Sequence, residues 1–182
     1  MRIIGGYYRS RKIDFPDDAN KVRPTKDVVR QAIFNAIGNE CNDYIVLDLF
    51  SGSGAYAIEA ISRGAKRAYA IDNYDLSIKV IRDNIKNLNI KNINIVKSDY
   101  MDFLNSANNN NLKFDLIFID PPYKMDIYMD VLNYLKDNDM LNDNAYIIME
   151  TDKHILLKEL PDFTMKSYNY KDTNVYIYRS LK

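Results

Sequence analysis

Residues 44–63, YIVLDLFSGSGAYAIEAISR, contain the unit that decides the fold. The segment 44–50 is an almost unbroken apolar run, the pattern of a strand that is buried on both faces of a sheet. A loop with Gly52 and Gly54 follows, and a helix rich in Ala and Ile is predicted over 55–63. A strand, a glycine loop and a helix in this order form the first unit of a nucleotide-binding α/β fold.

Apolar runs and helical spacings alternate along the rest of the chain, which predicts a mostly parallel sheet. Helices are predicted at 25–37, 75–88, 100–107, 127–135 and 155–160. Strands are predicted at 68–71, 93–96, 116–119, 145–149, 163–170 and 175–179. The last two strands flank a polar turn at 171–174 and should form a closing hairpin.

The N-terminal residues 1–15 predict a β-hairpin or a paired extended arm, because two β-prone runs flank Gly5 and Gly6. The chain has no net charge, but residues 1–30 carry eight basic side chains against four acidic ones. A basic end on a slightly acidic body suggests a local contact with a polyanion, although charge alone fits a solvated tail equally well. Tyr7 and Tyr8 fit either stacking on bases or packing of the arm onto the body.

Composition predicts a single cytoplasmic domain over residues 1–182, divided into the arm at 1–20 and a core at 23–182. No apolar run reaches the roughly 18 residues of a membrane span, and residues 1–12 lack the apolar stretch of a secretory signal. Cys41 is the one cysteine, which fits a reducing compartment. With His154 as the one histidine, no metal site is expected.

Acidic residues stand at or near the carboxyl ends of four successive predicted strands: Asp48, Asp72, Asp99 and Asp120. The carboxyl ends of parallel strands lie at one edge of a sheet, and open α/β sheets bind their ligands there. Four carboxylates in succession therefore predict a polar cleft along that edge.

The motif DPPY at 120–123 interrupts the fourth of these strands, since neither Pro121 nor Pro122 donates to a strand ladder. The Asp120 carboxylate and the Pro121 carbonyl are two rigid acceptors that can hold both hydrogens of an exocyclic NH2 group. Tyr123 offers a ring on which a base can stack. A turn after a core strand, with an aspartate that caps it, is the alternative interpretation of this motif.

The glycine loop leaves two cofactors open. Gly52, Gly54 and Ala57 satisfy the G-x-G-x-x-A fingerprint, which fits a dinucleotide. Asp48 lies close to that loop, where a carboxylate would repel a pyrophosphate. S-adenosylmethionine has no phosphate at this place, and its ammonium group and ribose accept acidic partners.

The motifs LDLFSGSG at 47–54 and DPPY at 120–123, with IDN and SD between them, resemble class I S-adenosylmethionine-dependent methyltransferases that act on exocyclic amines of nucleic-acid bases. RIIGG at 2–6, RPTKDVVRQAIFN at 23–35 and LDLFSGSGAYAIEAISRGA at 47–65 are similar to the bacterial 16S rRNA guanine-N2 methyltransferase family. The resemblance implies a Rossmann-like, seven-stranded, mostly parallel sheet with a C-terminal antiparallel hairpin and an N-terminal β-hairpin arm. It also implies 16S rRNA in the small ribosomal subunit as the substrate, and an enzyme that acts as a monomer.

The same resemblance assigns site residues. The catalytic clamp would be Asp120, Pro121, Pro122 and Tyr123. The S-adenosylmethionine site would be lined by Asp48, Phe50, Ser51, Gly52, Ser53, Gly54, Asp72, Asn73, Asp99 and Tyr100. RNA contacts would come from Arg2, Arg9, Arg11, Arg23 and Thr25.

Three other functions stay open on the sequence. A DNA or RNA methyltransferase for adenine N6 would use the same clamp, since DPPY does not distinguish adenine N6 from guanine N2. An NAD-dependent oxidoreductase would use the glycine loop with different chemistry. A ribosome-assembly factor would bind RNA without catalysis.

Overall fold

Helices and strands alternate through the residues that the computed structural model describes, which are 1–17, 27–122, 125–152 and 160–182. The helices are α1 (Asp27–Ala36), α2 (Ala55–Ser62), α3 (Asp75–Leu88), α4 (Tyr100–Asn109) and α5 (Tyr128–Asp137). The strands are β1 (Ile45–Asp48), β2 (Arg67–Asp72), β3 (Ile93–Lys97), β4 (Phe114–Ile119), β5 (Leu141–Thr151), β6 (Phe163–Tyr170) and β7 (Thr173–Ser180). Within these ranges no helix has the length and apolar character to cross a membrane.

The seven strands form one sheet in the order β3-β2-β1-β4-β5-β7-β6. Strands β1 to β5 pair in parallel, and β7 runs antiparallel to both of its neighbours, β5 and β6. The chain reverses its direction of travel across the sheet between β1 and β4, which is the topological switch point where such sheets bind ligands. The expected Rossmann-like class I methyltransferase architecture with its antiparallel C-terminal hairpin is confirmed.

The central strands are mostly apolar because helices cover both faces of the sheet. Leu116 and Phe118 point into a core cluster that includes residues of α1, α2 and α3. Ile117 and Ile119 point into a second cluster, which includes residues of α4 and α5. Successive side chains of a strand alternate between the two faces of the sheet. A strand that is covered on both faces is therefore apolar at most of its positions.

Most element boundaries lie within one or two residues of the prediction, and β5 is the main exception. Its first four residues include Asn142, Asp143 and Asn144, which have low strand propensity. The Asn142 amide donates to Asp115 of β4 at 2.9 Å, and Asn144 N–H donates to the carbonyl of Lys182 at 2.9 Å. These long-range contacts extend the strand beyond the predicted 145–149.

Two helix predictions have different outcomes. The structure extends α4 through Asn109, two residues beyond the predicted 100–107. The predicted helix at 155–160 lies outside the described residues except for Leu160, and so do the first two residues of the helix predicted at 25–37.

The N-terminal arm is a β-hairpin, as predicted. Arg2 and Lys12 form an antiparallel bridge. Ile3 N–H donates to the Arg11 carbonyl at 3.0 Å, and Ser10 N–H donates to the Ile3 carbonyl at 2.8 Å. Ile3 and Ile13 are buried in the same core cluster as α1 and α2, so the arm is packed onto the body.

Helix α2 fastens the arm through its polar side chains. The Glu59 carboxylate accepts from Ile4 N–H at 2.8 Å and from Gly5 N–H at 2.7 Å. The Ser62 hydroxyl donates to the Gly5 carbonyl at 2.6 Å. Gly6 has a φ of +72°, and a Cβ there would lie 1.7 Å from the Ser62 carbonyl oxygen. The glycine pair of RIIGG therefore allows the arm to approach the helix backbone.

Two arginines neutralise the buried Glu59 carboxylate. Arg63 Nη2 lies 2.9 Å from Glu59 Oε1, and Arg30 Nε lies 3.4 Å from Glu59 Oε2. The Arg63 guanidinium also stacks over the Phe34 ring, 4.6 Å from its centroid. All three charged side chains are buried, so removal of the carboxylate takes away the counter-charge that both guanidinium groups share, while Arg30 keeps its ion pair with Asp27 and Arg63 its hydrogen bonds to Asn39.

We expect Glu59→Ala to lower the free energy of unfolding by about 3–5 kcal/mol, because it removes the buried counter-charge that Arg30 and Arg63 share and leaves two arm N–H groups unpaired. Urea denaturation measures this change. Lys97→Ala is the control, since its ion pair with Asp75 is solvent-exposed and should contribute less than about 1 kcal/mol. Equal small losses in the two variants would contradict the structural importance of this cluster.

Candidate active site at the carboxyl edge of the sheet

The glycine loop is fastened to the end of β2. Ser51 N–H donates to the Ile71 carbonyl at 2.8 Å, and Gly52 N–H donates to Asp72 Oδ2 at 2.8 Å. Gly54 caps α2 with a φ of +78°, a conformation that favours glycine. The loop is therefore held in one conformation between the ends of β1 and β2.

Asp48, the last residue of β1, is buried with 2% of its surface exposed. Its Oδ2 atom accepts from Ala57 N–H in the first turn of α2 at 3.1 Å. Burial raises the pKa of Asp48 to about 7; the nearby Asp72 carboxylate adds to the rise, while the hydrogen bonds from Ala57 and Ser51 oppose it. This carboxyl group is thus poised between its two protonation states near neutral pH, and a nearby cation would favour its ionised form.

Asp72 connects two loops at the end of β2. Besides Gly52 N–H, it accepts from Tyr74 N–H at 2.8 Å. Burial raises the pKa of Asp72, and the hydrogen bonds from Tyr74 and Gly52 oppose the rise. Asn73 beside it is exposed and Ser53 is buried.

Residues from the ends of β1 and β3 form an aromatic wall at the same edge. The Phe50 and Tyr100 rings have centroids 5.5 Å apart and an interplanar angle of 41°. Asp99 precedes Tyr100 and caps α4, where it accepts from Met101 N–H at 2.9 Å. The predicted residues of three strand ends thus lie at one edge of the sheet, and their role in binding stays a prediction.

The clamp motif follows β4 in the middle of this edge. Phe118 pairs with Asp48 of β1, and Ile119 pairs with Met149 of β5, so Asp120 emerges between the ends of β1 and β5. Pro121 is buried and Pro122 is exposed. Tyr123 lies outside the described residues.

The RNA-contact candidates of the arm, Arg2, Arg9 and Arg11, are all exposed. Tyr7 at the tip is 87% exposed, and its ring meets that of the half-buried Tyr8 edge-on at 4.9 Å. Tyr8 thus packs on the body, while Tyr7 faces solvent. Arg23 and Thr25 lie outside the described residues.

The arm runs along α2 from the glycine loop to the opposite edge of the sheet. Near the loop, Asn84 accepts from Asp14 N–H at 2.8 Å and donates to the Ser53 carbonyl at 3.1 Å. Near the other end of the helix, Tyr7 N–H donates to the Ser62 carbonyl at 2.7 Å. The eight residues of α2 span ~12 Å, so the tip of the arm lies about one helix length from the glycine loop.

Three residues at this edge were not among the predicted site residues. The Tyr56 hydroxyl of α2 donates to Glu150 Oε2 at 2.6 Å, and the Tyr128 hydroxyl of α5 donates to the Glu150 carbonyl at 2.9 Å. The Tyr56 ring is stacked on Phe118, with centroids 4.2 Å apart. Glu150 carried the same signal as the four aspartates, an acidic residue at the end of a strand, whereas nothing local marks the two tyrosines.

The fold and the acidic edge define this protein as one with the class I methyltransferase architecture. The chain belongs to the family described as Conserved hypothetical protein 95, whose model matches residues 1–179. It is 35% identical over 161 residues to Ribosomal RNA small subunit methyltransferase D of Escherichia coli (strain K12), which covers 88% of this chain and 79% of the relative.

Two further relatives extend this likeness. The methyltransferase of the same name from Buchnera aphidicola subsp. Acyrthosiphon pisum is 32% identical over 172 residues, covering 94% of this chain and 87% of the relative. The solved structure of the protein yhhF from Escherichia coli matches with a TM-score of 0.86 and 31% identity, covering 99% of this chain and 97% of the other. The resemblance to small-subunit rRNA methyltransferases that the motifs indicated is confirmed.

We expect the free energy of unfolding to fall as pH rises from about 4 to about 7, in part because Asp48 keeps its proton in the folded state up to about 7 and in the unfolded chain only to about 4. Asp48→Asn keeps an acceptor for Ala57 N–H and has no proton to release. Urea denaturation at pH 5 and pH 8 should therefore show that the free energy of unfolding falls less between these two pH values in the variant than in the wild type. An equal fall of the free energy of unfolding in both proteins would refute the raised pKa of Asp48.

Proposed function

We propose that this protein transfers the methyl group of S-adenosylmethionine to the exocyclic N2 amine of a guanine in the 16S rRNA of the small ribosomal subunit. The observation that carries the proposal is the position of Asp120 and Pro121, which follow β4 at the switch point, beside the glycine loop. The names of the relatives support an rRNA substrate in the small subunit.

The glycine loop favours S-adenosylmethionine over a dinucleotide. Three of its N–H groups are already used within the protein: Ser51 by Ile71, Gly52 by Asp72 and Gly54 by the Ser51 carbonyl at 2.7 Å. In a pyrophosphate site such groups would point at the ligand, together with the first N–H groups of the helix. Here the Asp48 carboxyl group also occupies Ala57 N–H, so the loop presents an acceptor where a phosphate would need donors.

The residues at this edge fit the parts of S-adenosylmethionine. Asp48 and the glycine loop suit its ammonium group, the carboxylate of Asp72 suits the ribose hydroxyls, and the wall of Phe50 and Tyr100 suits the adenine ring. When bound, the cofactor supplies a methyl group that is already activated as an electrophile. The protein therefore mainly needs to position an amine and to stabilise the charge that develops on it.

The clamp residues perform that positioning. The Asp120 carboxylate and the Pro121 carbonyl would accept the two hydrogens of the target amine and direct its lone pair toward the methyl carbon. The amine nitrogen becomes positively charged as its new bond to carbon forms, and the Asp120 carboxylate stabilises this charge. One amine proton then leaves to Asp120 or to water. A base reaches the clamp only when it is flipped out of its stack, and Tyr123 offers a face for it.

The arm is proposed as the second RNA contact. Its exposed Tyr7 ring can stack on a base, while Arg9 and Arg11 can pair with phosphates. Because the tip lies beyond the far end of α2, these residues would touch RNA that flanks the target nucleotide. A localised basic arm also reconciles RNA binding with a chain that has no net charge.

We expect N2-methylguanosine in the 16S rRNA of small ribosomal subunits from a strain that lacks this gene, after incubation with the protein and labelled S-adenosylmethionine. Nucleoside digestion and chromatography identify the product. Asp120→Ala should lower turnover by at least 100-fold, because it removes one acceptor of the clamp, and should leave cofactor affinity nearly unchanged.

The alternatives give different results in the same experiment. Label in adenine of DNA or another RNA would keep the clamp chemistry and discard the rRNA guanine. A rise of the melting temperature with NAD but not with S-adenosylmethionine would favour an oxidoreductase. RNA binding without any methyl transfer would favour an assembly factor.

We expect Tyr7→Ala to weaken RNA binding by roughly 5- to 100-fold, the loss of one stacked base, with turnover at saturating RNA unchanged. Arg9→Ala should instead lower the slope of log affinity against log salt by about 0.7–0.9, the value of one phosphate contact. Filter binding over a salt series measures both. Lys166→Ala is the control, since Lys166 is exposed on β6, an edge strand of the sheet. A similar loss of RNA affinity in this variant would contradict a specific role of the arm.

A further inference from the structure

Glu150 stands beside the clamp at the end of β5. Strands β4 and β5 pair in parallel with Ile119 opposite Met149, so the next residues of the two strands, Asp120 and Glu150, are neighbours across the sheet edge. Ile148 belongs to the core cluster on the α2 face, and alternation places Glu150 on that same face, where Tyr56 of α2 donates to it. The edge thus carries two adjacent carboxylates where the target base is proposed to bind.

Two tyrosines hold Glu150 from opposite faces of the sheet. Tyr56 reaches its carboxylate from α2, and Tyr128 reaches its backbone carbonyl from α5. Glu150 is 8% exposed, and burial of a carboxylate costs free energy that hydrogen bonds must offset. The Tyr56 hydroxyl supplies such a bond and fixes the direction of the carboxylate, while stacking on Phe118 fixes the Tyr56 ring.

Asp120 and Glu150 both act on the pKa values of the two tyrosine hydroxyls. Burial raises the pKa of Tyr56 well above its usual value, and the carboxylates of Glu150 and Asp120 raise it further. Burial also raises the pKa of Tyr128, with a smaller contribution from Asp120 and from Glu150. Each hydroxyl is therefore within electrostatic reach of both carboxylates and stays a hydrogen-bond donor at neutral pH.

Guanine and adenine differ in the atom beside the amine that this edge would hold. Guanine carries an N1–H donor next to its N2 amine, so its edge presents adjacent donors. Adenine carries an N1 lone pair next to its N6 amine. A carboxylate beside the clamp would accept the N1–H of guanine and repel the N1 lone pair of adenine, and a carboxylate has acceptor positions beyond the one that binds Tyr56.

We propose that Glu150 selects guanine by accepting its N1–H while Asp120 and Pro121 hold the N2 amine, and that Tyr56 is the residue that positions Glu150. The proposal rests on the proposed function and adds to it a source of base specificity, which the DPPY motif lacks. One hydrogen bond to a base edge of this kind discriminates by roughly 10- to 100-fold.

The test compares guanine with 2-aminopurine at the methylated position. 2-Aminopurine has the same amine at C2, but its N1 is an acceptor without a hydrogen. Small subunits reconstituted from ligated 16S rRNA would carry either base at the position mapped for the wild-type reaction. We expect the wild type to prefer guanine by roughly 10- to 100-fold in kcat/KM.

Glu150→Gln should lower the ratio of kcat/KM for guanine over 2-aminopurine to one or below. Its carbonyl oxygen can accept from Tyr56, and its NH2 group can then donate to N1 of 2-aminopurine but not to N1–H of guanine. A wild type without preference, or a variant that loses activity on both bases in parallel with an unchanged ratio, would overturn the proposal. The proposed function fails separately, if the wild type forms no N2-methylguanosine at all.

Tyr56→Phe provides a second test that does not alter the carboxylate. The ring keeps its stack on Phe118 and loses only the hydroxyl. We therefore expect a smaller ratio of kcat/KM for guanine over 2-aminopurine, and an unchanged KM for S-adenosylmethionine. Tyr134→Phe is the matched control, since it removes a hydroxyl that donates to Asn105 at 2.6 Å on the exposed side of α5. A full wild-type ratio in Tyr56→Phe would refute the positioning of Glu150 by Tyr56.

Discussion

Carboxylates that end parallel strands must find hydrogen-bond donors, and this requirement shapes the whole edge of the sheet. Parallel strands bring their carboxyl ends together, so acidic residues there are crowded and partly withdrawn from water. Asp48 accepts a hydrogen bond from Ala57 N–H, Asp72 accepts from Gly52 and Tyr74 N–H, and Asp99 accepts from Met101 N–H. Each bond secures the loop or helix that follows its strand, so the charges that would meet the cofactor also build its site.

Helix α2 connects the three parts of the proposed mechanism. Its first turn donates to Asp48 at the glycine loop, Tyr56 reaches Glu150 beside the clamp, and Glu59 with Ser62 holds the arm. In the proposed mechanism, this single helix would set the positions of cofactor, base and flanking RNA relative to one another. This arrangement suits a reaction in which positioning supplies most of the catalysis, because the methyl group is already activated.

Specificity for a base is a different problem from activation of its amine. The two acceptors of the clamp fit the amine of adenine as well as that of guanine, so any preference must come from a neighbouring group. Glu150 is suited to that purpose because it is charged, adjacent in register and fixed by Tyr56. A site that hydrogen-bonds one base edge rejects the other base by leaving its own buried acceptor unpaired.

The sequence by itself determined the strands, the order of the elements and the four aspartates at the carboxyl edge of the sheet, because apolar runs, glycines and strand-ending acids are local signals. It also indicated the hairpin arm, through Gly5 and Gly6. Only the tertiary structure decided that Tyr56 meets Glu150, 94 residues away, that Glu59 holds the arm, and that Tyr7 rather than Tyr8 faces solvent. These contacts depend on how the helices pack on the sheet, and no local pattern encodes a partner so distant in the chain.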